Sequence, residues 1–411
     1  MTGWLKLTDE QRRETLTQSQ QRTGIIVKAI EKDWWVTLTL KALFQSAYKN
    51  YIVFKGGTSL SKSWKLIARF SEDVDIALDP EAFEMKYEEN PSRSYVKKLK
   101  RKGCEFTSTK LKGEIEKQLA ALGIPAGTVI IEAAPVPEDF PDTDPQTLFV
   151  KYKSLYDPIE YIADEVKIEV SVRSLKVPFT TRPVQSILNE VFPNPVYNET
   201  PFPVSVVEPR KTFLEKAFLL HEEFLKPEKS KIKGERMSRH PYDLVSMMNT
   251  EIGPAALTDH NLYDHLIIHR KWYTGFAWVD YESLGHSTIS FVPSAEVLEI
   301  YRNDYETMKE QMIYEEAMDF DDLIEQLKIL QGRFRIKTEV KPLEEFINEA
   351  LNNLQEFIKE NPDATSFETK VTYSSDPYKP LSPANNTIMY TVQFTRKGNK
   401  IVFESIKVHE N

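Results

Sequence analysis

The stretch FKGGTSLSKSWKLIARFSEDVDIAL, from Phe54 to Leu78, carries the side chains best suited to chemistry. It reads as a short buried strand, Tyr51–Lys55, closed by a Gly56-Gly57 bend. A helix through Leu60, Trp64 and Leu66 follows, with Thr58 or Ser59 as its N-cap, and then a second strand, Asp73–Leu78, bearing Asp-x-Asp. Strand alternation puts Asp73 and Asp75 on one side while Val74 and Ile76 enter the core. Neighbouring carboxylates repel and raise each other's pKa unless a cation lies between them. Oxygen-only ligands of this kind suit Mg²⁺ or Mn²⁺ shared with substrate phosphates. The paired glycines let the backbone approach a phosphate, and amides at the following helix start can hold the anion. Taken singly, a Gly-Gly is a turn and an Asp-x-Asp a solvated strand face. Their combination on successive strands predicts a phosphate cradle facing a metal pair.

The elements that must position this segment alternate between strand and helix. Thr8–Lys49 has a helical period, with Ile25, Ile26, Ala29 and Ile30 on one face. Residues 92–122 predict a basic helix or helix pair, with Arg93, Lys97, Lys98, Lys100, Arg101 and Lys102 clustered. Strands are expected at Thr128–Ala133, Thr147–Leu155, Tyr161–Val172 and Val204–Val207. Pro209 opens a helix with an apolar stripe of Phe213, Leu214, Ala217, Phe218, His221 and Leu225. A basic connector, KPEKSKIKGERMSR, leads to Pro241, which suits a first helical position. Helices are expected near 257–273, 294–330 and 342–359. The final Phe367–His409 alternates apolar and polar residues around Gly398-Asn399, predicting a small β hairpin or meander. The fold class is α+β, divided into 1–207 (helices plus mixed sheet), 208–362 (helical) and 363–411 (small β segment).

Composition narrows the function classes. Of 411 residues, 41% are apolar, enough for a large core, and 62 acidic against 53 basic residues give a net charge of −9. That balance excludes a bulk electrostatic binder of nucleic acid but leaves room for local basic patches. The single Cys104 excludes an internal disulfide framework and a Cys-rich zinc site. Seven histidines lack a ligand-like spacing; His265 and His269, four apart on an expected helix, are read as core or surface residues. No secretory signal is visible, and the most apolar long stretch, LAALGIPAGTVIIEAAPV, is too interrupted to span a bilayer. A soluble cytoplasmic protein without membrane partners is expected. The acidic stretch Glu296–Glu325 is expected to face water.

Two blocks, Lys55-Gly-Gly-Thr-Ser-Leu-Ser-Lys62 and Arg69-Phe-Ser-Glu-Asp-Val-Asp-Ile76, resemble the nucleotidyltransferase superfamily that includes DNA polymerase β. Within it the sequence is most similar to the AbiEii/AbiGii-type toxins of type IV toxin–antitoxin systems. Leu214-Glu-Lys-Ala217 and Arg239-His-Pro-Tyr-Asp-Leu244 support the resemblance in the expected order, so it covers about residues 20–270. It implies a polymerase β-like mixed sheet and transfer of a nucleoside monophosphate from an NTP with release of pyrophosphate. It implies that Gly56, Gly57, Thr58, Ser59, Lys62 and Arg69 belong to the nucleotide-binding blocks, with Gly57 and Ser59 on phosphates. Asp73 and Asp75 would bind Mg²⁺ or Mn²⁺.

The superfamily's third strand carboxylate is assigned to Glu169, in VKIEVSV, with Glu165 on the same face as its rival. Lys216 matches the third motif and would neutralise triphosphate oxygens. Asp243 and Arg239 match the last, although Asp243 also suits a structural place at a helix N-terminus. His240 stands where the family often has Asp and receives no role. The acceptor implied is RNA, including a tRNA 3′ end, and the implied partner is an antitoxin encoded nearby. The clusters Arg93–Lys102 and Lys226–Arg239 are the candidate polyanion contacts. The alternatives are a protein hydroxyl or small-molecule acceptor on the same fold, or a non-catalytic nucleotide-binding protein.

Overall fold

The computed structural model describes residues 2–157, 159, 162–194, 197, 199–336, 343–374, 387–397 and 400–409. The chain falls into two compact units, Met1–Gly332 and Arg333–Asn411. The first holds a seven-stranded mixed sheet in the order β3-β4-β5-β2-β1-β7-β6. Its strands are β1 (Ile52–Lys55), β2 (Val74–Leu78), β3 (Val129–Ala133), β4 (Gln146–Tyr152), β5 (Glu165–Ser171), β6 (Phe179–Val184) and β7 (Phe202–Val207). β2 is antiparallel to β1 and parallel to β5, so the carboxylate-bearing strand sits at the centre of the sheet. The α+β class expected from sequence is what the chain adopts.

Two helices precede the sheet. α1 (Asp9–Thr23) is opened by a reciprocal capping box between Thr8 and Gln11 and closed by Gly24 in the left-handed region. α2 (Val27–Gln45) is buried almost all round, because it packs on β5 and β7 while α1 and the later helices cover its other side. Its Trp35 stacks on Tyr152 of β4 at 4.6 Å. The sheet face below it carries Phe54, Val74, Ile76, Leu148, Ile168 and Val170, all at most 1% exposed. At about 1.5–3 kcal/mol per fully buried apolar side chain, this face outweighs any local propensity in holding the central strands.

Between β2 and β3 lie α4 (Arg93–Phe106) and α5 (Lys112–Ala121), joined through a π-turn, as the expected basic helix pair. The Cβ that Gly103 lacks would meet Val172 at 2.3 Å. Val172 continues the Ile168/Val170 side of β5, so α4 lies on the face away from Asp75. The short α6 (Ile187–Val191) links β6 to β7, and after β7 come α7 (Pro209–Phe224), α8 (Arg239–Met248), α9 (Ile252–Thr258), α10 (His260–Tyr273), α11 (Ala295–Gln311) and α12 (Phe320–Phe334). In the second unit, α13 (Leu343–Asn353) and α14 (Gln355–Glu360) accompany an antiparallel meander of β8 (Ser366–Ser374), β9 (Thr387–Lys397) and β10 (Lys400–His409). Its core is Ala350, Leu354, Phe367, Val392 and Phe394. The Gly398-Asn399 turn expected there lies outside the described residues. No helix among the described residues is long and apolar enough to cross a membrane.

Four local expectations are corrected. The helix after the bend, α3 (Gly56–Lys62), begins at the first glycine, so Thr58 and Ser59 lie inside it, while Trp64 and Leu66 lie beyond its end. Gly56 at φ +76° allows the chain to turn from strand to helix without a capping residue between them. α8 begins at Arg239, two residues before Pro241. Residues 294–330 divide into α11 and α12, because the chain between them pairs with the segment before β2: Phe70 N–H donates to Met312 O at 2.7 Å. Finally, β6 had no expected counterpart. It contains Pro183 and is an edge strand, where a missing N–H costs no ladder bond.

Candidate active site

The registers of three strands bring the charged side chains together. Lys55 of β1 is opposite Asp75 of β2, and Asp75 is opposite Glu169 of β5, so the three form one rung across the sheet. They share a face because side chains at paired positions project to the same side. Asp73 precedes β2 on that face, and Lys167, two residues before Glu169, ion-pairs with it. Glu165 lies four residues before Glu169 and faces Lys151 of β4, so the register puts Glu169 rather than Glu165 beside Asp75. Arg239, opening α8, points its Nη1 at Asp73 Oδ2 from 3.7 Å.

The glycine bend closes onto the same carboxylates. A Cβ on Gly56 would stand 2.0 Å from Asp75 Oδ2, and one on Gly57 would stand 2.6 Å from Arg69 Nη2. The two glycines are therefore the space into which Asp75 and Arg69 fit. Substituting Gly56→Ala both strains a left-handed backbone and pushes the Asp75 carboxylate off its rung. Transfer activity is expected to fall at least about 100-fold while the chain stays folded. Unchanged turnover by this variant would detach the bend from the chemistry.

Electrostatically the rung is unbalanced. Burial raises the Asp75 carboxyl from 3.8 to about 6; Lys55 opposes this, while Glu169 and Asp73 add to it. Burial acts upward on Glu169 too, but the Lys167 contact, with Lys55 and Arg239, brings it below the usual carboxylate range. Sequence alone gives Lys55 and Lys167 no role. The only local signal for Lys55 was a cation ending an otherwise apolar strand, and that of Lys167 was its place on the Glu169 face.

A second cluster lies behind the first. Arg69 donates to both oxygens of Asp243, at 2.7 and 2.8 Å, and Lys216 Nζ lies 2.8 Å from Asp243 Oδ2. All three are buried, Asp243 completely. Burial acts to raise the Asp243 carboxyl, yet Arg69 and Lys216 pull it below its ordinary value. Asp243 is the fifth residue of α8 and spends its charge on these cations rather than on the helix N-terminus. His240 lies with its Nδ1 3.4 Å from Lys216 Nζ. Burial, then Lys216, Arg239 and Arg69, push its pKa well down, so it accepts as a neutral imidazole.

Thr58 shares a hydrogen bond with Ser71 at 2.8 Å. Ser59 is fully buried, and its hydroxyl donates to Gly56 O at 2.8 Å. Lys62 turns to the other side, onto Asp33 of α2 at 2.5 Å and Gln185 O at 3.1 Å, and does not join the carboxylates. A small recess of about 20 Å³ opens beside Asp73, lined by Arg69, Ser71, Glu72, Arg236 and Arg239. Arg236 holds the buried Glu72 at 2.6 Å, and Lys32 holds its other oxygen at 2.7 Å. The Nε of Arg239 is buried with no hydrogen-bond acceptor among the described residues. In the basic connector, Lys226 and Lys231 are paired to Glu223 and Glu228, while Lys229, Lys231 and Lys233 stay exposed.

Asp73, Asp75 and Glu169 supply oxygen donors of the type hard divalent cations prefer, with Asp75 and Glu169 opposite each other on adjacent strands. The donor set therefore fits a hard divalent cation. Among the described residues, no three His, Cys, Asp or Glu side chains are drawn together as a finished metal site; Arg239 faces Asp73, and Lys167 is paired with Glu169.

Comparison with known proteins bears on the whole arrangement. A family model described as nucleotidyl transferase AbiEii toxin, type IV TA system, matches residues 39–326, from α2 to α12. No curated protein and no solved structure matches the chain. With more than two thirds of its length inside that match, the chain belongs to the AbiEii family of nucleotidyltransferase toxins of type IV toxin–antitoxin systems.

Proposed function

We propose that the protein transfers a nucleoside monophosphate from an NTP to an RNA hydroxyl, such as a tRNA 3′ end, and acts as the toxin of a toxin–antitoxin pair. The observation that carries this reading is the Lys55–Asp75–Glu169 rung pressed against Gly56, with Asp73 on the same face beside an arginine-lined recess. Asp73, Asp75 and Glu169 would hold Mg²⁺ or Mn²⁺, which when bound supplies positive charge to the triphosphate and to the acceptor oxygen. Arg239, whose Nε has no acceptor among the described residues, and Arg236 offer donors to the β- and γ-phosphates from the Asp73 side. The acceptor hydroxyl oxygen attacks the α-phosphorus, the bond to the bridging oxygen breaks, and pyrophosphate leaves. A carboxylate of this face takes the hydroxyl proton and passes it to solvent.

The choice of RNA rests on Lys229, Lys231 and Lys233, exposed on the segment leading to Arg236 and Arg239. The basic face of α4 lies behind the sheet and is not assigned to the acceptor. Neutralising the three lysines together is expected to weaken tRNA binding several-fold and to lower its salt slope by up to about three. Binding that ignores salt would count against RNA. The direct test incubates the chain with each α-labelled NTP, Mg²⁺ and total cellular RNA or protein. Label in an RNase-sensitive fraction supports the reading; label in a protease-sensitive fraction replaces RNA with a protein hydroxyl. Nucleotide binding with no transfer to any acceptor would replace the reading with that of a non-catalytic binding protein.

A further inference from the structure

The carboxylate face contains a cation of its own. Lys167 lies on β5 two residues from Glu169, holds that carboxylate in an ion pair, and stands at the end of the rung where Asp73 precedes β2. Its ammonium is paired with Glu169, while Asp73 and Asp75 of the same face act on it through charge alone. The stem is half-buried, with 38% of the side chain exposed, so the head is fixed on the face rather than waving in solvent. Three carboxylates on one sheet face ordinarily make room for two divalent cations, because each ion needs shared anionic oxygens. Here one of the three is already neutralised by the chain.

We propose that Lys167 is the resident cation of this face, occupying Glu169 so that the protein takes up one divalent ion per bound nucleotide, on Asp73 and Asp75, where the bare carboxylates would take two. The inference rests on the site reading above and deepens it. An ammonium has a single charge and three fixed-length donors, and it cannot exchange with solvent metal. It would keep the carboxylates from flying apart when no nucleotide is present, and it makes Glu169 a partner of Lys167 first and a metal ligand second. Lys167 is thus a positioning residue acting through Glu169.

The test reads metal rather than turnover. Full-length protein is dialysed to equilibrium against Mn²⁺ and a non-transferable NTP analogue, and bound manganese and nucleotide are counted. Wild type is expected to hold one Mn²⁺ per bound nucleotide, Lys167→Met two, and Lys167→Met with Glu169→Gln one again. Lys167→Arg, which keeps the charge, should stay at one. Because Lys167 is part-exposed, Lys167→Met is expected to fold, which its thermal melt checks. Two ions in wild type, or one in Lys167→Met, overturns the proposal while leaving the site reading in place. Manganese uptake that survives Asp73→Asn with Asp75→Asn overturns the site reading itself, and the absence of uptake in every variant overturns both.

Discussion

Replacing Asp75 by Asn is expected to abolish nucleotidyl transfer and, in metal-free buffer, to raise the melting temperature. The two effects have one cause. Burial, with Glu169 and Asp73 nearby, lifts the Asp75 carboxyl to about 6, against 3.8 in its ordinary state. The folded chain therefore holds this proton more tightly than the unfolded chain. Its stabilising contribution is full below about pH 4 and is lost as pH rises through 6, so at pH 7 the ionised carboxylate costs about 1–3 kcal/mol. An amide of the same shape removes that cost together with the charge the reaction needs. The predicted signature is a wild-type melt that falls relative to Asp75→Asn between pH 4 and 7, a gap that closes when Mg²⁺ and nucleotide are added. Label transfer from an α-labelled NTP should drop below detection in Asp75→Asn and in Asp73→Asn alike. Full activity in both variants would remove the carboxylates from the chemistry, and equal melts at pH 7 without metal would remove the electrostatic account of Asp75.

Asp243→Asn should behave in the opposite way. Its carboxylate is completely buried between Arg69 and Lys216, at 2.7–2.8 Å from both. Taking away the shared anion leaves two buried cations facing each other, a loss of about 3–5 kcal/mol. The melting temperature should fall by roughly 5–10 °C. Arg69 would also lose its hold beside Gly57, so activity should fall with stability. Differential scanning calorimetry of the pair separates the two aspartates: one variant melts above wild type and the other well below it. An unchanged melt for Asp243→Asn would mean that Arg69 and Lys216 find other anions and would remove the structural account of this cluster.

What could be read from the sequence followed locality. The glycine bend, the strand with its two aspartates and the β5 carboxylate each lie within a few residues of their own signals, namely paired glycines and period-two alternation. The match between β2 and β5 was beyond periodicity, because a parallel register across an insertion of about ninety residues is set by packing. Lys55 and Lys167 therefore went unassigned, though both stand among the carboxylates. Lys62 was grouped with the phosphate block by its neighbours in sequence, yet a partner on α2 claims it. Asp243 is assigned to the last motif by resemblance, with a helix-terminal acid beside Pro241 as the alternative; its partner, Arg69, is 174 residues away and gave no local signal. The division between α11 and α12 was hidden for the same reason, since what interrupts the helix is a backbone pairing with residues 68–70.

That pairing bears on how such a protein can be inherited. The loop just ahead of the two aspartates is moored twice, by Arg69 to α8 and by its backbone to residues 312–314. The sheet is consequently no portable cassette: a gene fragment ending after β7 would encode all three acids but neither mooring. Recombination that keeps the enzyme working must carry the stretch from the central strands through Tyr314 as a single inheritable block, and the family match across 39–326 encloses both anchor points.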